Sequence, residues 1–314
     1  MSIDLQEYLI AKRAVDDRAI DRRVWDRFVD ELEHRSSART TDTEPLDVLE
    51  IGAGVGAMVE RFADWNAFTG HVRYRAVDFD RRNIDAAREH LPEWLETAGY
   101  TVSETEAGFH AVSRTGEARL DVELVVADAF EIDATVDVVV AAAVLDIVPL
   151  AGALSHVRSL LVDDGLFYAP TTFDGATAFS PAHPFDDRIE RSYHRHMDDI
   201  RDEPGGSRTG RDLLAGLPTA GFEVVAAGAG DWVVYPQERT YSAAERTFLE
   251  SLLETIEGAL SAYPATELDP DSTGEWLACR RDQLRHGELV LVCHHLDVLA
   301  TVRDRDESAD GQRS

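Results

Sequence analysis

The stretch Leu49-Glu50-Ile51-Gly52-Ala53-Gly54-Val55-Gly56 constrains this chain more than any other feature. The apolar run Asp47-Val48-Leu49-Glu50-Ile51 ends on glycines, and helix-like periodicity begins at Ala57. This is a strand-to-helix turn in which missing side chains let the backbone pass close to a bound nucleoside. The same letters fit a relaxed dinucleotide fingerprint, because Gly52, Gly54 and Ala57 satisfy G-x-G-x-x-[GA]. Taken alone, the loop leaves two classes of cofactor open.

Around the loop, short apolar runs at 47–51, 72–77, 122–126, 136–141 and 165–168 alternate with helix-like segments at 57–68, 81–96 and 150–161. Strands separated by helices predict a doubly wound α/β sheet, parallel, with helices on both faces. Ligands in such a sheet belong at the carboxyl ends of the strands. Before it, Val15, Ile20, Val24, Trp25, Phe28, Val29 and Leu32 recur at helical spacing, which predicts one N-terminal amphipathic helix, followed by a polar linker at 35–44. Beyond Thr171 the rhythm changes: a loop with Pro170, Pro181 and Pro184 leads to a polar segment at 189–200 and a glycine-rich turn at 203–210. A helix at 211–217 and a strand at 222–227 restore the pattern, with 232–235 a further strand. Helices at 243–262 and 276–285 then precede a last strand at 288–293. The reading is one domain over 45–302, with insertions at about 172–210 and 236–287. Residues 1–44 form a helix and linker over the cofactor site, and the polar tail 303–314 is expected to be disordered.

Three further positions bear on the cofactor. Glu50 ends the first strand directly before the glycines, where a carboxylate suits the cationic end of an amino-acid-bearing cofactor better than a pyrophosphate. In Tyr74-Arg75-Ala76-Val77-Asp78, an acid closes the second strand, placed to accept ribose hydroxyls, with Phe79 next to it. In Val125-Val126-Ala127-Asp128-Ala129-Phe130 a carboxylate closes the third, suited to an adenine amino group.

As an ordered set, Glu50 to Gly56, Asp78 and Asp128 resemble the motifs of class I S-adenosylmethionine-dependent methyltransferases, over about residues 45–227. The resemblance implies that family's seven-stranded Rossmann-like sheet with an antiparallel last strand. It also implies S-adenosylmethionine as cofactor, contacted by Glu50, Gly52, Ala53, Gly54, Asp78, Phe79, Asp128 and Ala129. The chain looks like an acidic member of the small-molecule type. It departs from the pattern in one respect: the last two strands of the family form a close pair, whereas helix-like sequence separates Tyr235 from Leu289 here. That insertion is expected to form a lid or a substrate wall.

Charge narrows the partners. The chain has 60 acidic residues against 31 basic ones, a formal charge of -29, and Lys12 is its only lysine. Such a surface is expected of a halophilic protein from a salt-accumulating cytoplasm, where concentrated salt screens carboxylate repulsion. It would be repelled by phosphate backbones, so nucleic acid is not an expected partner. The first residues carry Asp4 and Glu7 where an export signal needs positive charge, and the longest apolar stretch, 136–150, is interrupted by Asp137 and Asp146. A cytoplasmic protein without a membrane partner is the expectation. Cys279 and Cys293 read as small core residues, and no metal site is expected.

Transfer of an activated methyl group needs mainly alignment and, for a hydroxyl nucleophile, removal of a proton. The segment Ala141-Ala142-Ala143-Val144-Leu145-Asp146 lacks the Asn-Pro-Pro-aromatic sequence of enzymes that methylate amino groups of DNA bases or protein glutamine. A small-molecule acceptor remains. Candidate bases are His196, His194 and Asp146, with His183 behind them; in a polar segment a histidine equally serves as a surface or capping residue. Trp232, Tyr193, Phe173 and Phe179 could line an apolar pocket or simply be core. Arg13 and Arg18 could reach the cofactor carboxylate, or be solvated helix charge. The region 189–210 is expected to close over the site. Two other functions stay open: a nicotinamide-dependent oxidoreductase with Asp78 on the ribose, and a cofactor-binding module without catalysis.

Overall fold

The computed structural model describes residues 4–39, 44–200 and 206–303. It begins with two helices, α1 (Leu5–Ala19) and α2 (Arg22–Ala38), followed by β1 (Leu46–Ile51), α3 (Ala57–Asp64), β2 (Gly70–Asp78) and α4 (Arg81–Thr97). A hairpin, β3 (Tyr100–Glu104) and β4 (Gly108–Ser113), leads into β5 (Ala118–Val126), β6 (Val136–Val140), α5 (Leu150–Leu160) and β7 (Leu161–Ser180). Then come α6 (Asp186–Arg195), a π-helical turn at His196–Ile200, α7 (Thr209–Gly216), β8 (Phe222–Ala229) and β9 (Trp232–Val234). The chain closes with α8 (Ala243–Ser261), α9 (Pro270–Arg285) and β10 (Val290–Val302).

The expected α/β sheet is present, but among the described residues it holds ten strands instead of seven, in the order β3-β4-β5-β2-β1-β6-β7-β10-β8, with β9 on β10. Strands β5, β2, β1, β6 and β7 pair in parallel, and β10 runs antiparallel to β7, β8 and β9. The additional strands are the β3–β4 hairpin at one edge and β9 beside β10. Alternating burial of Phe109 and Ala111 carries the hairpin, the period-two pattern of a half-buried strand. Because the order reverses about β1, the crevice for a ligand opens at the carboxyl ends of β1 and β6.

Four local expectations are corrected. The single N-terminal helix is two, because the Asp21 carboxylate accepts the N–H groups of Arg23 and Val24 and starts a new helix, while its own N–H donates to Asp297. Residues 35–38, read as linker, belong to α2, and 40–43 lie outside the described residues. The chain beyond Thr171 is strand, not loop, as far as Ser180, because β10 supplies partners from Phe173 to Ser180. The last strand runs on to Val302 and bonds β8 as well as β7. Residues 304–314 of the expected tail lie outside the described residues.

Three apolar clusters order the molecule. One lies on the sheet face covered by α2, α3 and α4, with Trp25, Phe28, Phe62, Tyr74 and Tyr168 in mutual ring contact. The second lies under α5 and α7, around Val139, Phe167 and Phe222. The third is separate: α1, α6, α8 and α9 close around β9 and the outer parts of β7 and β10, burying Trp232, Phe248, Trp276 and Leu291. The N-terminal helix and both insertions thus meet in one cap, built on two strands that run past the rest of the sheet.

Candidate active site

The glycine loop leaves β1 at the crevice. Gly52 has φ +68°, and a Cβ there would stand 2.6 Å from Val144 Cγ2 in the segment after β6, so the turn needs glycine for both conformation and space. Ala53 N–H donates to Val77 O at 2.9 Å and Gly54 N–H to Asp78 Oδ2 at 2.8 Å, which pins the loop to the end of β2. Asp78 also accepts from Asp80 N at 2.9 Å and from Asn83 Nδ2 at 3.1 Å. Ala127 N–H donates to Asp78 O at 3.1 Å, so the ends of β2 and β5 are tied side by side. Beyond β5, the exposed Asp128 accepts from Phe130 N–H at 2.9 Å, and His156 Nε2 holds Ala129 O at 2.8 Å. Large apolar side chains stand exposed along this edge, among them Phe79 at 77%, Phe130 at 37% and Ile147 at 44%. Exposed apolar groups beside strand-end carboxylates are what a flat, polar-edged ring system would cover.

Glu50 is placed differently. It is buried beneath the loop, on the face of Phe62 and Tyr168, and accepts Tyr74 OH at 2.9 Å. Burial pushes its carboxyl up to about 8, against the Tyr74 hydrogen bond and the nearby Arg61, which favour the charged form.

Residues 49–167, which carry this whole edge, match the model of a methyltransferase domain. That stretch is similar to a methyltransferase domain. Among solved structures, the YcgJ protein of Bacillus subtilis is similar at 12% identity and a TM-score of 0.47, over 90% of this chain and 100% of that one. A SAM-dependent methyltransferase from Thiobacillus denitrificans, solved with S-adenosyl-L-homocysteine, is similar at 14% identity and a TM-score of 0.45, over 96% of this chain and 100% of that one. No curated protein matches the chain.

Across the crevice from the glycine loop, the structure sorts the remaining candidates. Asp146 sits in a short helical turn after β6, at the carboxyl edge, and its charge is felt by the buried Tyr8. His194, on α6, lies 3.1 Å from Thr177 Oγ1 through Nε2, with its ring against Phe173, and burial holds its pKa below the usual histidine value. His196 opens the π-helical turn. His183 takes a capping role, bonded to Asp186 and to the Phe185 N–H. Trp232 and Phe173 both meet the buried His295, Trp232 at 4.1 Å between ring centroids. Phe179 and Tyr193 instead line a cavity of about 200 Å³ between β7, α6 and α9, away from the glycine loop. Arg13 pairs with Glu60 and lies over the Trp94 ring, and Arg18 pairs with Glu245, so neither guanidinium serves the open edge. Of the region 189–210, residues 201–205 lie outside the described residues; Gly206 N–H donates to Asp146 O at 3.2 Å. Among the described residues no cluster of three or more metal-ligating side chains occurs, and no helix is long and apolar enough to cross a membrane.

The sequence reading missed how α1 enters this site. Gln6 Nε2 bonds Asn83 Oδ1 at 2.7 Å, Leu9 lies against Gly54, and Lys12 and Asp16 are buried on the same helix. Nothing local in the sequence marks these positions, apart from Lys12 being the single lysine.

Proposed function

We propose that the chain transfers the methyl group of S-adenosylmethionine to a small-molecule acceptor that enters between α1, α6 and the ends of β6 and β7. The observation that carries this reading is the bond from Gly54 N–H to Asp78, which joins the glycine loop and the ribose-binding acid at the switch point of the sheet. When bound, the cofactor supplies an already activated methyl on a sulfonium. Asp78 accepts the ribose hydroxyls; Asp128 and Ala129 meet the adenine edge, with Phe79 and Phe130 against its faces. Gly52, Ala53 and Gly54 offer backbone at close approach, and Glu50 supports them from beneath. Asp146, His194 and His196 are the groups able to hold a proton on the acceptor side. A lowered pKa keeps His194 neutral and ready to accept a proton at neutral pH. The net charge of -29 supports a small acceptor over nucleic acid.

The test is methyl transfer from labelled S-adenosylmethionine into a small-molecule extract, with products identified by mass. A labelled small molecule is expected, with turnover falling in Asp146→Asn or His194→Gln while cofactor affinity holds. Cofactor binding without any transfer would leave a binding module, and label in protein or nucleic acid would overturn the acceptor class.

A further inference from the structure

Along α1, two flanks are committed to neighbours. On one, Gln6 bonds Asn83, Arg13 pairs with Glu60, and Asp17 accepts Arg61 Nε at 2.7 Å. On the other, Tyr8 stacks on Phe248, and Val15 and Ala19 enter the cap core. Helical periodicity puts Leu9, Lys12 and Asp16 on the stripe between those flanks. Leu9 meets Gly54. Gln6 stands over the Asn83–Asp78 pair at the ribose end, and Lys12 and Asp16 follow about one and two turns beyond Leu9, past the glycine loop.

This stripe carries a buried ion pair. Lys12 Nζ lies 2.5 Å from Asp16 Oδ2, with side chains 9% and 12% exposed. The second Asp16 oxygen accepts Trp232 Nε1 at 2.9 Å, and Lys12 Nζ sits 4.9 Å from the Trp232 ring centroid. An i,i+4 pair lies within one helix, so Lys12 joins no two elements through it, and burying both charges costs more than a surface pair would. Every other basic residue in the chain is arginine. At this one position the chain uses a compact ammonium with three rotatable donors, which can keep Asp16 and still serve a second anion.

We propose that the Lys12–Asp16 pair receives the amino-acid end of the cofactor, Lys12 its α-carboxylate and Asp16 its α-ammonium. The proposal rests on the cofactor reading above. A zwitterion needs one charge of each sign a few ångströms apart, and this pair provides them beyond the glycine loop. The groups expected from sequence are placed elsewhere: Glu50 is under the loop on Tyr74, and Arg13 and Arg18 are in ion pairs with Glu60 and Glu245.

The experiment compares S-adenosylhomocysteine with 5′-methylthioadenosine, which keeps the nucleoside and thioether but lacks the amino-acid end. Calorimetry on the full chain is expected to show that Lys12→Met and Asp16→Asn each weaken S-adenosylhomocysteine by about tenfold or more. Affinity for methylthioadenosine should stay within about twofold, because that ligand never makes the charge-assisted hydrogen bonds that the substitutions remove. Equal effects on both ligands, or none on either, overturn the proposal. Where a variant fails to fold, the wild-type chain suffices, because lysine-selective 13C labelling gives a single lysine spin system. Its ε-CH2 resonance should move with S-adenosylhomocysteine and not with methylthioadenosine; identical responses refute the assignment. Failure of the wild type to bind either nucleoside would instead remove the cofactor reading.

Discussion

Asp78 accepts the backbone N–H of Gly54 across the mouth of the sheet at 2.8 Å, so the acid that would hold the ribose also fixes the shape of the loop beside it. Asp78→Ala should therefore weaken cofactor binding by about 1.5–3 kcal/mol, the usual worth of a hydrogen bond to a charged group, and loosen the loop as well. Calorimetry with S-adenosylhomocysteine checks the first effect. An unchanged dissociation constant in the folded variant would show that the ribose lies elsewhere.

Gly52→Ala tests the same loop from its other side. A methyl group would meet Val144 Cγ2 at 2.6 Å in a left-handed residue, so overpacking of roughly 1–3 kcal/mol adds to a backbone cost of roughly 1–2 kcal/mol. A lower melting temperature together with weaker cofactor binding is expected. Denaturation curves and calorimetry on one preparation measure both.

Two buried carboxyls make stability depend on pH in an unusual direction. Burial raises Glu50 to about 8, and it raises Asp297 to about 7 although Thr171 and Asp21 donate backbone N–H groups to it. The folded state then binds more protons than the unfolded state between the ordinary carboxyl range and those values. Their contribution is complete below about pH 4 and is lost as pH rises through 7 to 8. Melting temperatures should fall across that window, and Glu50→Gln should flatten the slope. A Gln variant with the wild-type slope would mean that Glu50 is ionised in the folded chain.

Salt gives the broadest test. With a formal charge of -29, carboxylates repel over a Debye length of about 30 Å at 0.01 M, which shrinks to roughly 3 Å at 1 M. The melting temperature is expected to climb with potassium chloride into the molar range. Equal melting in dilute buffer and molar salt would remove the reading of the acidic surface as a salt adaptation.

The strand-end placement of the glycine loop, Asp78 and Asp128 was legible because its signals are local: glycines that follow one strand, and acids at the ends of the next two, stand within a few letters of each strand. The β3–β4 hairpin carries only a weak signal, because Phe109 and Ala111 alternate as a strand should but the run is short and mixed with polar residues. Pro170 concealed the continuation of β7, whose outer part is strand because β10 bonds it from more than a hundred residues away. The helix break at Asp21 depends on Asp297 at the far end of the chain, and no window of sequence contains both. Nothing near Lys12 and Asp16 in the sequence distinguishes them for the same reason: only the packing of α1 on Gly54 and Trp232 gives them a setting.

The long pair β7 and β10 belongs at once to the central sheet and to the cap. The ladder is bulged between Cys293 and His295 and between Leu296 and Val298 but is bonded on both sides of each bulge, so swinging the cap on a hinge would tear hydrogen bonds in the middle of two strands. Nor can it be excised: a chain shortened to the residues that carry the cofactor edge would end partway along β7 and leave that strand without the partner that completes it. Passage of small molecules must then depend on the pieces that merely lean on this frame, and α1, joined to α2 at its C-terminal end and otherwise held by side chains instead of a ladder, lies across the mouth.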